Sequence, residues 1–356
     1  MIIFPAREEK IQVNAFPREN EAKAQRRYRL AELILLAVLS GAIFLSFGVG
    51  YYSLTPGEVA KAFAWRFGYR GNVLPQAITI FWNIRMPRIL SAALIGASLS
   101  VAGAVYQGMF RNPLVSPDIL GVSSGASLGA AIAIFIGLPN WCVQLSAFIC
   151  GMCAVALSYL ISRKSAHSQT LSLVLTGSMV MALCNAGVTM IKYLADPHNV
   201  LQQLTFWLMG SLAKADREAL AWGAAPMLSG LMIVYLLRWR VNLLTLDDEE
   251  AMSLGVNVKK YRLIFIIAST LLSAAAVCLG GLIGWVGLMV PHMGRALVGA
   301  DYKRLIPFCA MMGATYLILM DDLARAFFSL ELPLGAVTSV IGAPFFIYLI
   351  IRRRES

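Results

Sequence analysis

The chain has 356 residues, 58% of them apolar and only 14% charged, whereas a soluble domain has about 45–50% apolar and about 25% charged residues. The apolar residues stand in uncharged blocks, most reaching the roughly 20 residues that cross a bilayer as a helix; this excludes a soluble enzyme and leaves a multi-span membrane protein surrounded by lipid. The net charge of +11 needs no nucleic-acid partner, because the lysines and arginines sort by topology.

In chain order, residues 1–28 are polar and basic and read as a cytoplasmic segment, and residues 29–356 as one all-α integral membrane domain. The run 33–52 is too long for a signal-peptide core and lacks a small-residue cleavage site, so it reads as a retained first span. Uncharged runs at 89–110, 119–140, 141–162, 170–191 and 219–237 supply five more. The run 263–294 is too long for one ordinary span at about 1.5 Å per residue. It holds Gly280, Gly281, Gly284, Gly287 and Pro291, which predicts a full helix, a turn near Gly280–Gly281 and a second, shorter helix. The run 305–320 ends in Asp321 and Asp322, as a helix reaching water would, and 332–351 completes ten transmembrane helices. With that count, most basic residues, including Arg238, Arg240, Lys259 and Lys260, share one side with both termini. By the positive-inside rule that side is the cytoplasm.

Cys150, Cys153, Cys184, Cys278 and Cys309 lie within apolar runs, Cys142 lies at a span end, and none has zinc-site spacing. They read as buried free thiols. His167, His198 and His292 are scattered, so no metal site, catalytic residue or cofactor is expected in the chain. The phosphate-binding pattern GxxxxGK[ST] is absent. Ionisable groups inside a membrane are usually functional, and the runs hold almost none. That argues against a membrane enzyme and against an ion-coupled secondary transporter.

Shifting the chain by half its 356 residues aligns Gly103 with Gly281, Pro113 with Pro291 and Gly121 with Gly299. Spans 2 and 3 then fall on spans 7 and 8 in opposite orientation, as in the inverted repeats of transporters. The small residues of 111–130 read as tight packing around a pathway, with Asp118 near a helix N-terminus where the dipole favours an acid.

These residues resemble a known family. "RMPRILSAALIGASLSVAGAVYQGMFRNPLVSPDILGVSSGASLGA" is similar to the second and third spans of the FecCD permeases. "FWLMGSLAKAD", "DEEAMSLGVNV" and "GLIGWVGLMVPHMGRALVGADYKRLIP" resemble later segments of that family, and the likeness runs in order from about residue 30 to the end. The resemblance implies the permease subunit of a bacterial ABC importer in the inner membrane, working as a homodimer of ten-span subunits. It implies two ATPase subunits that bind ATP and magnesium, and a periplasmic substrate-binding protein. The cargo would be a ferric siderophore, haem or cobalamin, with molybdate or tungstate as the alternative.

Three sets of site residues follow. The segment 238–261 resembles the ATPase-coupling loop, carried by Asp248, Glu249, Glu250, Ala251, Leu254, Gly255 and Val256. Thr245 and Asp248 read as a capping box for a helix of about 8–10 residues that presents Ala251 and Leu254, with Gly255 as its left-handed cap. Gln169, Thr170 and Leu171 are expected at the cytoplasmic gate, where a plain polar turn is the competing reading. Arg85, Arg88 and Arg325 are expected at the periplasmic surface, where the family's matching positions receive acidic residues of the binding protein. Ordinary snorkelling at the headgroups is the competing reading there.

Overall fold

The computed structural model describes residues 18–50, 52, 54–69, 71, 74–164, 169–326 and 331–352, and among these every regular element is helical. α1 (Arg18–Gly48) passes straight through the expected boundary between residues 28 and 29, so residues 18–28 and the first span share one helix. α2 (Pro56–Trp65) has Pro56 at its first position and a reciprocal cap between Thr55 and Glu58. α3 (Pro75–Thr79) runs through a π-helical turn, Ile80–Arg85, into α4 (Met86–Met109) without a break.

The chain then leaves the helix at Arg111, whose φ is +52, makes a 3-10 turn over Pro117–Leu120, and re-enters at Gly121 with φ +88. α5 (Val122–Phe135), α6 (Asn140–Ser162), α7 (Gln169–Leu194), α8 (Val200–Met209) and α9 (Arg217–Leu244) follow. The short α10 (Asp248–Ser253) leads into α11 (Val258–Gly280), whose first turn is capped by the Asn257 side chain on the Lys260 amide. The expected break falls at Gly281, with φ +70. α12 (Val286–Val298), α13 (Tyr302–Ala326) and α14 (Leu334–Arg352) complete the chain.

Among the described residues, seven helices are long and apolar enough to cross a membrane, and three shorter apolar ones stand at Val122–Phe135, Val286–Val298 and Leu334–Tyr348. α4 and α11 are buried along most of their length, whereas α1 and α9 keep most of theirs on the outside. Hence α4 and α11 form the centre. α4 gets there by being small: a Cβ on Gly96 or on Gly313 of α13 would overlap the other's carbonyl oxygen. Such contacts let helix backbones approach where lipid provides no hydrophobic drive between helices.

The half-length shift does not survive. Gly103 lies within α4 while Gly281 lies in the break, and Pro113 lies in a turn while Pro291 lies inside α12. A repeat is present at the level of elements instead. α4, α5, α6 and α7 start at 86, 122, 140 and 169, and α11, α12, α13 and α14 at 258, 286, 302 and 334. Each set runs long, short, long and closes on a fourth helix, the long α7 or the shorter α14, and each first helix packs on the third helix of the other set, α4 on α13 and α11 on α6. Connections of unequal length prevent any single shift from aligning the two sets.

Candidate functional site

Two polar constellations stand at opposite ends of the bundle. At the end where α4 starts and α13 finishes, Arg88 Nε and Nη2 each lie 2.9 Å from a carboxylate oxygen of Asp321, and Nη1 lies 2.8 Å from Glu331. Arg325 donates to Asp322, to the Ser46 hydroxyl and, at 2.9 Å, to the Ser46 carbonyl. Its Nε stands 3.4 Å from Asp321 in an i,i+4 relation, a charge contact rather than a well-formed hydrogen bond. Arg85 donates to the carbonyls of Phe47 and Tyr52.

This corrects the surface placement expected of the three arginines: Arg85, Arg88 and Arg325 are 3%, 6% and 9% exposed. The physical reason is twofold. The last carbonyls of a helix have no intrahelical donor, and those of Ser46 and Phe47 at the end of α1 receive guanidinium groups, which also complement the helix dipole. Asp321, Asp322 and Glu331 balance the three cations, so the cluster is closed on itself. Snorkelling fails for the same reason, because the charged heads are the buried part. The π turn inserts its extra residue immediately before α4 and carries Arg85 toward α1.

At the opposite end, α10 is a six-residue helix, shorter than expected, and Thr245 does not cap it. Thr245 is the C-cap of α9, its hydroxyl 2.7 Å from the Asn242 carbonyl, and Asp247 is the N-cap residue of α10, without a side-chain cap bond. α9 extends past Arg238 and Arg240 to Leu244, which moves the boundary. Ala251 is turned inward and 1% exposed, contrary to its expected presentation, whereas Leu254 is 62% exposed. Gly255 takes φ +75, as a left-handed cap requires. Asp248, Glu249 and Glu250 occupy the first turn of α10, and Val256 is buried. Asp248 accepts from Arg262 Nη2 at 2.9 and 3.2 Å, and Asp247 pairs with Arg111.

Gln169, Thr170 and Leu171 form the first turn of α7, with Leu171 exposed. Residues 165–168 before them and the Gln169 side chain lie outside the described residues. Asp118 stands in the 3-10 turn, where it accepts from the Ser123 hydroxyl of α5.

One polar residue escaped the sequence reading. Gln107 is 3% exposed near the end of α4, with its amide nitrogen 3.3 Å from the carbonyls of Val115 and Leu288 and 3.4 Å from that of Gly287. Pro291 has no N–H, so the Gly287 carbonyl four residues earlier has no helical donor; Gln107 supplies one and accepts from Arg295 in turn. The signal was available, as a proline four residues after a glycine in an apolar run.

Between α8, the 281–285 break and the start of α14 lies an apolar cavity of about 360 Å³, lined by Leu208, Met209, Leu282, Gly284, Pro333 and Gly335. Non-helical backbone at membrane depth persists only where protein or a watery cavity meets it. Here the irregular segments pair with one another: Ser211 N lies 2.9 Å from the Gly280 carbonyl and Leu334 N lies 3.0 Å from that of Gly210.

With this geometry in place, known proteins give a consistent picture. The model of the FecCD transport family matches residues 35–352. The molybdate import system permease protein MolB of Haemophilus influenzae is 39% identical over 323 residues, covering 91% of this chain and 95% of that protein. The hemin transport system permease protein HmuU of Yersinia pestis is 40% identical, covering 78% and 84%. The vitamin B12 import system permease protein BtuC of Escherichia coli is 35% identical, covering 94% and 99%. A solved structure described as an inward-facing conformation of a metal-chelate type ABC transporter superposes with a TM-score of 0.80 at 37% identity, covering 91% of this chain and 99% of that one. Matched by the family from residue 35 to 352, the chain belongs to the FecCD transport family.

Proposed function

We propose that the chain is the membrane-spanning permease subunit of a binding-protein-dependent ABC importer that moves a metal chelate (a ferric siderophore, haem or cobalamin) into the cytoplasm. The likeness to permeases over nearly the whole chain, together with the metal-chelate type transporter it superposes on, carries this reading. In this reading the seven long and three short apolar helices make ten spans, and both termini are cytoplasmic. Two copies enclose the path on their shared axis. Two ATPase subunits, holding ATP and magnesium, meet α10 through Asp248, Glu249, Glu250 and Leu254. The binding protein docks at the other end, where its carboxylates compete with Asp321, Asp322 and Glu331 for Arg88 and Arg325 and with the Phe47 and Tyr52 carbonyls for Arg85. The first turn of α7, with Gln169, Thr170 and Leu171, forms the cytoplasmic gate.

Molybdate is the second reading, favoured by the 39% identity to a molybdate permease. Proteoliposomes holding the permease and ATPase, supplied with ATP and the binding protein, test both on haem, a ferric siderophore, cobalamin and molybdate. ATP-dependent uptake of a chelate supports the first reading, and uptake of molybdate alone the second. ATP hydrolysis that never moves any of the four overturns both. Cysteines at position 170 are expected to crosslink two copies in the closed state; separation in every nucleotide state would place the gate elsewhere.

A further inference from the structure

α10 has only six residues, yet attachments on several sides hold it. Asp248 takes the guanidinium of Arg262, a residue 2% exposed near the start of α11. Ala251 of α10, Val256 of the connection and Val258 of α11 are buried, so single side chains pin an otherwise exposed segment to the core. Asp247, the neighbouring acid, takes Arg111, the residue that ends α4 in a left-handed conformation. Two adjacent carboxylates thus reach the ends of the two central helices. Those helices pack along each other, and α4 meets the start of α12 at Gly103 and Gly287 and the far cluster through Arg88.

We propose that Asp247 and Asp248, with Arg111 and Arg262, clamp α10 to the ends of α4 and α11 as one rigid body. Displacement of α10 then reaches the centre of the bundle instead of being absorbed in the turns at 245–247 and 254–257. The inference rests on α10 being the ATPase contact, and Arg111 and Arg262 act in it as positioning residues. The two pairs are unequal. Arg262 is desolvated and its ion pair is the main attachment, whereas Asp247 is largely exposed and an exposed pair holds weakly. The exposed pair therefore sets the orientation of α10 and removes play.

The experiment uses the complete complex with its ATPase and binding protein in lipid nanodiscs, with spin labels at the exposed positions Ser253 and Leu114. In the otherwise unaltered protein the label distance is expected to be narrow and unchanged by ATP. Arg111→Asp or Asp247→Arg alone broadens it. The two together narrow it again, because the charges are exchanged and aspartate accepts a positive φ readily. Arg262→Gln is expected to raise the ATP hydrolysed per substrate moved by about fivefold, within the range for mutations along a coupling network, while Arg262→Lys keeps the charge and the ratio. The distance readout needs no transport, so a failure of the importer reading shows separately, as absent uptake by the unaltered complex. Equal distance distributions in all variants, or an exchanged pair as broad as the single variants, would overturn the clamp.

Discussion

Arg88 and Asp321 meet across 233 residues of sequence with two nitrogens on two oxygens, both at 2.9 Å, inside the bundle. Bidentate pairing of this kind fixes orientation as well as charge. Here it locks the start of α4 to the end of α13, the two helices already in backbone contact at Gly96 and Gly313.

Removing one partner leaves the other charged and buried. Asp321→Ala is expected to lose about 3–5 kcal/mol of stability, whereas replacing the pair together by Arg88→Met and Asp321→Leu loses much less. Thermal unfolding of the detergent-solubilised permease measures both. A double variant as unstable as the single one would show that the pair itself, and not the stranded charge, is what matters.

The cap of α2 is sensitive to acid. The Thr55 amide and hydroxyl hold the Glu58 carboxyl below the usual carboxylate range. A carboxyl lowered in the folded state stabilises it above its unfolded pKa, and that contribution is lost as pH falls through the folded value. Hydrogen exchange at the Val59 amide, which bonds the Thr55 carbonyl at 3.0 Å, reports it. Protection relative to Glu58→Gln is expected to be present at neutral pH and absent once Glu58 is protonated. No difference at neutral pH would assign the cap to the Thr55 hydroxyl alone.

How far the sequence foretold this molecule depends on whether a signal was local. The break at Gly281 was legible because glycines and Pro291 interrupt a charge-free run that is too long for one helix. The left-handed cap at Gly255 was legible for a similar reason. The burial of Arg88 was not, because its partner lies 233 residues away and a buried, paired arginine has the same local sequence as a snorkelling one. Thr245 was misplaced because Arg238 and Arg240 look like the end of a span, yet α9 continues beyond them to Leu244. The repeat was sensed in the wrong register, since identical glycines serve a packed helix at Gly103 and a break at Gly281.

Gln107 and Pro291 make a linked pair. Gln107→Leu strips a donor from the Gly287 and Leu288 carbonyls and an acceptor from Arg295, and an unsatisfied buried group costs about 1–3 kcal/mol. Adding Pro291→Ala returns a backbone N–H to Gly287, so the double variant is expected to recover part of that loss. Unfolding midpoints of the two single variants and the double variant form a cycle. Strict additivity would show that the side chain does not stand in for the missing helical bond.

Leu254 tests the coupling surface. It follows the last turn of α10 and is 62% exposed, while its neighbours Ala251 and Val256 are buried. An apolar side chain held out by an otherwise anchored segment suits a groove in a partner. Leu254→Asp touches no core contact, so its effect on permease stability is expected to stay within about 0.5 kcal/mol, as for surface substitutions generally. Burying a leucine in a partner's groove contributes about 1.5–3 kcal/mol, and an aspartate there loses that and adds a desolvation penalty. ATPase association is therefore expected to weaken by one to two orders of magnitude at about 1.4 kcal/mol per decade, and ATP-driven uptake to fall with it. Leu254→Met, similar in volume, is expected to keep both. Leu254→Asp with unchanged association and uptake would move the ATPase contact away from α10, and with it the route by which ATP hydrolysis reaches α4 and α11.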